Sequence, residues 1–394
     1  MPIADDEHTG QRVARIRKLR HLTQQGLATA SHSSASMVAQ VEQGKKQPSP
    51  ALLAAYARAL SVPVTDLAGQ PYLAELQQDQ LDGLINPIRE SLDVYDLGAD
   101  PGIRPRSLDN LVLDADRLCS LVRATDLRTA ASELPGLIQE ITTSAHLKPS
   151  DRAWSALAST YRSAYDVATK LGFYDLASIA LDRMAWAAER GSDPAMAGVR
   201  QYLRSLGYLR AGQYRTGRRL AEIGHQTVAL ADPGRARDAV TGQLHLGAAV
   251  LAARDRDGDT AMGHIDEARR YAEVTGEALQ VHWLTFGPTN VAVHHASILV
   301  DQDLYAQALA VAKTIRVPED WPASRASHHR AEIARAQLWT GRIEAAFRNL
   351  LEARRLAPQQ TRYSPTVRDT VTGLLTAKRA APDTLANFAA WVGM

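Results

Sequence analysis

Apolar positions along most of the chain recur three and four residues apart, the spacing that gathers them on one face of an α-helix. From about residue 106 onward the sequence is rich in Ala and Leu and lacks the strict alternation of a half-buried strand, so helices are predicted throughout. Residues 10–68 break into several short helical segments joined by tight turns. Gly69, Pro71 and the polar run Gln77 to Gln80 predict a hinge leading into a connecting helix that ends near Leu97. Gly98, Pro101, Gly102 and Pro105 then crowd into a loop. The expected organisation is a flexible tail over 1–9, a first domain over 10–68, a connecting helix and loop over 69–105, and a helical domain over 106–394.

A phrase repeats in that last region: Gly or Asp, an aromatic or apolar residue two later, a small residue three further on, and another small or apolar one four after that. It reads Gly172-Tyr174-Ala177-Leu181, Gly212-Tyr214-Gly217-Ala221, Asp303-Tyr305-Ala308-Ala312 and Gly341-Ile343-Ala346-Leu350-Ala353, the last closing with Pro358. A looser copy starts at Gly258. The phrase resembles the second half of a tetratricopeptide repeat, where Gly ends the first helix and small residues let the second pack closely. Successive copies lie roughly 40 residues apart, longer than the standard unit of about 34. The expected fold is therefore all-α, with a TPR-like α-solenoid of antiparallel helix pairs after the N-terminal domain.

The strongest local signal lies near the N-terminus. Thr23 can cap a short helix that turns Leu27 and Ala28 inward. Ser31, His32, Ser33 and Ser34 form a turn, and Ser34 can cap the next helix. Val38 and Val41 of that helix face back onto Leu27, and Gly44 ends it with a left-handed cap. Ala35, Ser36, Ala39 and Gln40 are left facing outward, and such small and amide side chains suit close approach to base edges in a major groove.

Charge supports the same reading. The chain as a whole carries only +2. Between Gly10 and Pro50, seven basic residues (Arg12, Arg15, Arg17, Lys18, Arg20, Lys45, Lys46) face one acid, Glu42, so this head carries +6 and the rest of the chain −4. A basic head on a slightly acidic body is the asymmetry of a chain that meets phosphates at one end.

Over about residues 10–68 the sequence resembles the XRE (Cro/C1-type) helix-turn-helix family. The resemblance runs through Arg17-Lys18-Leu19-Arg20, Thr23-Gln24-Gln25 and Leu27-Ala28. It continues at Val38, Val41-Glu42, Gly44-Lys45-Lys46 and Pro48-Ser49, then at Leu52-Leu53, Tyr56-Ala57, Ala59-Leu60, Val64 and Leu67. It implies a five-helix domain in which Ala35, Ser36 and Gln40 read bases and Gln24 braces the site or contacts the backbone. It also implies that Arg17, Lys45 and Lys46 lie near phosphates, and that the domain binds double-stranded DNA as a homodimer. Two positions depart from the family pattern: Gly26 stands where a helix former is usual, and His32 where the tight turn usually has Gly. Since His tolerates the left-handed region better than most residues, a slightly strained turn is expected at His32.

The segment Trp283 to His295 is the most unusual of the helical domain, because Gly287-Pro288 interrupts an otherwise helical run. Asn290 and His294 lie one turn apart with Trp283 close by. Two readings stay open: a polar lining for a small-molecule or peptide effector, or a kinked helix whose Asn satisfies broken backbone bonds. This phrase, with Ala334-Arg335-Ala336-Gln337-Leu338 and Gly341-Arg342, resembles actinobacterial XRE regulators with TPR-like C-terminal domains. Trp154, Tyr161 and Tyr165 share a helical face and are expected in the core. The pairs Asp175/Asp182 and Glu267/Glu273 read as solvated faces.

Other chemistry is not signalled. Cys119 is the only cysteine, which leaves no internal disulfide and no Cys-based zinc cage. His294-His295 and His328-His329 point apart on a helix and do not make metal pairs. Catalytic and nucleotide-binding signatures are missing, so no enzyme activity, cofactor or metal is expected. Runs such as Leu52 to Tyr56 and Ala248 to Ala253 are far shorter than a membrane span. The polar, acidic opening Met1 to Thr9 does not look like a leader, and a soluble cytoplasmic protein is expected. The functional expectation is a sequence-specific transcriptional regulator whose helical domain senses an effector or mediates dimerisation. The alternatives are a DNA-tethered adaptor whose solenoid docks a partner protein, and a scaffold whose helix-turn-helix no longer binds DNA.

Overall fold

Each N-terminal helix is short because the sequence supplies a stop and a new start every ten residues or so. The computed structural model of the protein describes residues 7–68, 82–377 and 383–394. Helix α1 (Thr9–Leu19) starts at the cap His8, whose Nδ1 accepts from the Gly10 amide at 3.1 Å. Hydroxyl caps stand at Thr23 for α2 (Gln24–Ala30), Ser34 for α3 (Ala35–Glu42) and Ser49 for α4 (Pro50–Leu60). Helix α5 (Val64–Ala68) completes the domain. Val13, Leu27, Val38, Tyr56, Leu60 and Leu67 form its centre, none more than 1% exposed. Helix α1 reaches back to Thr9, one residue into the expected tail, and residues 1–6 lie outside the described ones.

The expected hinge at 69–81 also lies outside the described residues. Beyond those residues, α6 (Ile85–Asp93) is shorter than the connecting helix expected to reach Leu97. Six helix pairs then succeed one another: α7 (Leu108–Ala124) with α8 (Leu127–Leu147), α9 (Asp151–Leu171) with α10 (Tyr174–Arg190), and α11 (Pro194–Arg210) with α12 (Tyr214–Val228). After them come α13 (Arg235–Arg254) with α14 (Gly258–Thr275), α15 (Pro288–Asp301) with α16 (Tyr305–Thr314), and α17 (Ala323–Trp339) with α18 (Ile343–Leu356). Helices α19 (Pro358–Arg362), α20 (Pro365–Ala377) and α21 (Asp383–Trp391) close the chain. Among the described residues there is no strand, only an isolated bridge between Ala278 and Phe286.

The turn inside every pair is built alike. A residue in the left-handed region stands two positions before the second helix: Thr125 (φ 64°), Gly172 (83°), Gly212 (67°), Arg256 (63°), Asp303 (63°) and Gly341 (72°). This conformation reverses the chain and satisfies the last carbonyls of the first helix. The looser repeat is therefore anchored at Arg256, with Gly258 already the first residue of its helix. A sixth pair, headed by Thr125, lies outside the repeat pattern because its turn residue is neither Gly nor Asp. The small residues of the phrase are at the contacts: Ala177, Ala221, Ala308 and Ala346 are each at most 2% exposed. Trp154, Tyr161 and Tyr165 are core residues as expected.

The stack curls until its ends meet. Helix α17 packs on α7, and the Leu127 amide donates to Gln359 Oε1 at 3.1 Å. Trp283 Nε1 donates to Asp116 Oδ1 at 3.1 Å, and Lys170 Nζ donates to Gln360.

The Gly287-Pro288 pair does not kink a helix, which corrects the expectation. Residues before it form a loop with one 3-10 turn (Val281–Trp283), and Pro288 occupies the first turn of α15, where its missing N–H costs nothing. Glu277 lies directly over Gly287, where a Cβ would come within 2.8 Å of the Glu277 Cα.

The first domain sits on the stack. Arg58 Nη1 donates to the Gly212 carbonyl at 2.8 Å, and Ala54 packs with Leu209, Tyr214 and Leu251. On another side, Asp369 of α20 lies beside Thr9 and Arg12 of α1.

Candidate nucleic-acid interface

Helix α3 is held by its buried face and leaves the other open. Val38 and Val41 are at most 1% exposed against Leu27 and Ala28. Ser34, Ser36 and Gln40 are exposed, and Ala35 and Ala39 are half-exposed between them. Gln40 Nε2 donates to Ser36 Oγ at 3.2 Å, so the amide lies along the helix. The Ser34 hydroxyl accepts from the Met37 amide at 3.1 Å and fixes where the helix begins. His32 takes the left-handed conformation anticipated for it (φ 52°), and Gly44 closes the helix at φ 70°.

The basic head is spent mostly on architecture. Arg17 is buried, which corrects its expected place beside phosphates. Its Nε and Nη2 grip the two Glu42 oxygens at 2.5 and 2.9 Å, and Nη1 donates to the Leu22 carbonyl at 2.6 Å. Gln24 Nε2 donates to the same carboxylate at 2.8 Å, so Gln24 is a brace that ties the start of α2 to the end of α3. Burial pushes the Glu42 carboxyl up, but the Arg17 and Gln24 hydrogen bonds and the Arg17 charge outweigh it and leave it below its ordinary value. Arg12 donates to the carbonyls of Leu67 and Ala68, both at 2.8 Å. Arg20 reaches the Leu60 carbonyl at 3.1 Å, and Arg15 pairs with Glu7 at 2.8 Å. Lys18 and Lys45 are exposed and Lys46 is half-exposed, and none forms an ion pair with another described residue. Among the described residues of the head, these three ammonium groups and the exposed Arg20 guanidinium, which donates only to carbonyls, are the charges without an acidic partner near the surface.

The residues expected to line an effector site separate. Asn290 and His294 are buried, 0% and 8% exposed, because they face inward on α15 and hold another side chain. Asn290 Oδ1 accepts from Arg325 Nη2 at 2.6 Å, and the His294 ring lies 3.3 Å from the same nitrogen. Burial, with the charge of Arg325, drives the His294 imidazole down to about 3, so it is neutral. Trp283 faces a different cavity of about 590 Å³, which Arg123 also lines, with the Arg123 guanidinium 5.5 Å from the indole centroid. The three do not make one site. The group they lead to, Arg325, carried no local sequence signal.

A second space, of about 410 Å³, lies within the stack beside the end of α5. Lys170, Arg210, Arg325, His328 and Arg368 line it, with Ala68 at the end of α5.

Among the described residues, no helix is long and apolar enough to cross a membrane. No curated protein matches the chain. Residues 13–67 match the helix-turn-helix family, a match confined to the N-terminal domain. With its capped helix α3, its open polar face and its buried Arg17–Glu42 brace, that stretch is a helix-turn-helix domain of the kind that DNA-binding transcription regulators carry.

Proposed function

We propose that this chain is a sequence-specific transcriptional regulator whose helical stack binds a small effector and thereby sets the placement of the DNA-reading domain. The observation that carries the reading is the open face of α3, with Ser36 and Gln40 exposed, on a domain seated on the stack through Arg58 and Gly212. Ser36, Ala35, Ala39 and Gln40 meet base edges, and Lys45 and Lys46 neutralise phosphates. A homodimer places two such helices on half-sites about 34 Å apart, one turn of duplex. The chain performs no catalysis in this reading and needs no cofactor, and its place of work is the cytoplasm.

The contacts of α7 with α17 and the half-open cavities of about 590 and 410 Å³ favour a small ligand over a folded partner protein. An effector acts only through different affinities for two placements of the reading domain.

Genomic footprinting with the purified protein, followed by salt titration of the best site, tests the DNA reading. A discrete near-palindromic site is expected. Binding without sequence preference, or no binding with and without cell extract of small molecules, would sink it.

A further inference from the structure

We infer that the cavity of about 410 Å³ beside the end of α5 is a binding site for a small organic dianion, a phosphate monoester or a dicarboxylate, clamped by Lys170, Arg210 and Arg325. The inference deepens the effector-gated reading and rests on it only for the consequence at DNA.

The composition of the lining is the first argument. Four cationic side chains and the His328 imidazole converge on about 410 Å³, and no described residue of the lining is Asp or Glu. Like charges gathered in a partly enclosed space repel one another and lose hydration, an arrangement that a bound anion relieves. Asp166 is the carboxylate that acts on Lys170, and it lies outside the lining, 3.9 Å from Arg162.

The second argument is that the clamp is preset. Arg325 is fixed from behind by Asn290 and His294, and its Nε is buried without a hydrogen-bond partner. Arg210 is held over the Tyr174 ring at 5.1 Å and by the Tyr165 hydroxyl at 3.4 Å. Lys170 is tied to Gln360. Burial, helped by Arg123 and Arg325 and opposed by Asp166, brings the Lys170 ammonium down to about 8, so it is the group with most to gain from an anion. Planar guanidinium forks are suited to carboxylate and phosphate oxygens. Ser324, Ser327 and Thr361 stand around the same space and supply hydroxyl groups. A volume of this size admits a small metabolite and excludes a folded partner.

The third argument is position. Ala68 belongs to the lining and is the last residue of α5, where its carbonyl accepts from Arg12 of α1. Arg368 also lines the space, next to Asp369, which lies beside Thr9 and Arg12. An occupant drawing these cations together bears on the base of the reading domain directly.

Inorganic phosphate and succinate, each titrated by calorimetry into the full chain at constant ionic strength against chloride, test the site. Binding of at least one dianion at millimolar concentration or tighter is expected, and its identity distinguishes phosphate from dicarboxylate chemistry. Lys170→Gln and Arg325→Gln should each weaken it tenfold or more, whereas Arg355→Gln, on the exposed face of α18, should leave it unchanged. Circular dichroism checks that each variant is folded, and either folded variant suffices. No binding beyond chloride, or equal binding by the folded variants, overturns the inference. Operator binding is followed in parallel, so that lost DNA recognition with intact dianion binding counts against the regulator reading alone.

Discussion

Arg17 and Glu42 form a two-pronged ion pair, 2.5 and 2.9 Å, with both side chains less than a tenth exposed. The pair joins α1 to the end of the reading helix. Breaking such a pair strands a buried charge, so Glu42→Ala should lower the stability of the first domain by about 3 kcal/mol, read by urea unfolding. An unchanged midpoint would show that the pair is not the brace described. The sign with pH is set by the lowered Glu42 carboxyl. Its contribution is complete above the unfolded carboxylate value and is lost as pH falls through the lower folded one, so the gap between wild type and Glu42→Ala should close only in acid.

The division between structural and free cations makes a second expectation. Lys45→Ala should weaken binding to all DNA sequences alike and reduce the salt slope by about one. Gln40→Ala should blur sequence preference at one position of the half-site by about 1–3 kcal/mol with the slope unchanged. Arg17→Lys should reduce domain stability and leave the slope as it was. If Arg17→Lys changed the slope as Lys45→Ala does, Arg17 would be a phosphate contact after all.

Gly212 offers a test of domain seating. Its φ is 67°, and a Cβ there would lie 2.3 Å from the Ala54 Cβ. Gly212→Ala adds backbone strain of about 1 kcal/mol to that collision. It should loosen the first domain from the stack, seen as faster hydrogen exchange of the Ala54 and Arg58 amides and a larger radius of gyration in solution scattering. Identical scattering curves would mean the contact does not hold the domains together.

Asp369 predicts a pH response of the same seating. Burial raises its carboxyl to about 6, against Arg335, Arg12 and a hydrogen bond with Thr9, which lower it. A folded value above the unfolded one means stability that is complete below the unfolded value and lost as pH rises through about 6. Docking should therefore tighten between pH 7 and 5, and Asp369→Asn should remove that dependence. Hydrogen exchange of α1 amides across this range is the readout, and equal slopes in both proteins would refute the assignment.

Much of this architecture was legible from local rules. Thr23, Ser34 and Gly44 marked the ends of helices by their own chemistry, and Val38, Val41 and Leu27 declared a common face by spacing. Gly172, Gly212 and Gly341 marked turns because Gly enters the left-handed region without strain. Thr125 and Arg256 adopt the same conformation with side chains that signal nothing, which hid one pair and shifted another. Arg17 misled because a basic residue in a basic head looks like a phosphate contact, and its burial is decided by Glu42, a partner 25 residues away in sequence. Asn290 and His294 were readable as polar residues on one turn, but what they hold comes from another helix pair. The cavity beside the end of α5 draws Lys170, Arg210, Arg325 and Arg368 from four helices, and no window of sequence contains it.

Closure of the stack has an evolutionary consequence. An open array of helix pairs can lengthen or shorten by whole units, since each unit touches only its neighbours. Here Leu127 meets Gln359 and Asp116 meets Trp283 across the ring. Inserting or deleting one pair would rotate these partners away from each other and open the seam. The number of pairs is thus locked by geometry, and homologous chains of this architecture should vary in loops and termini while keeping the count.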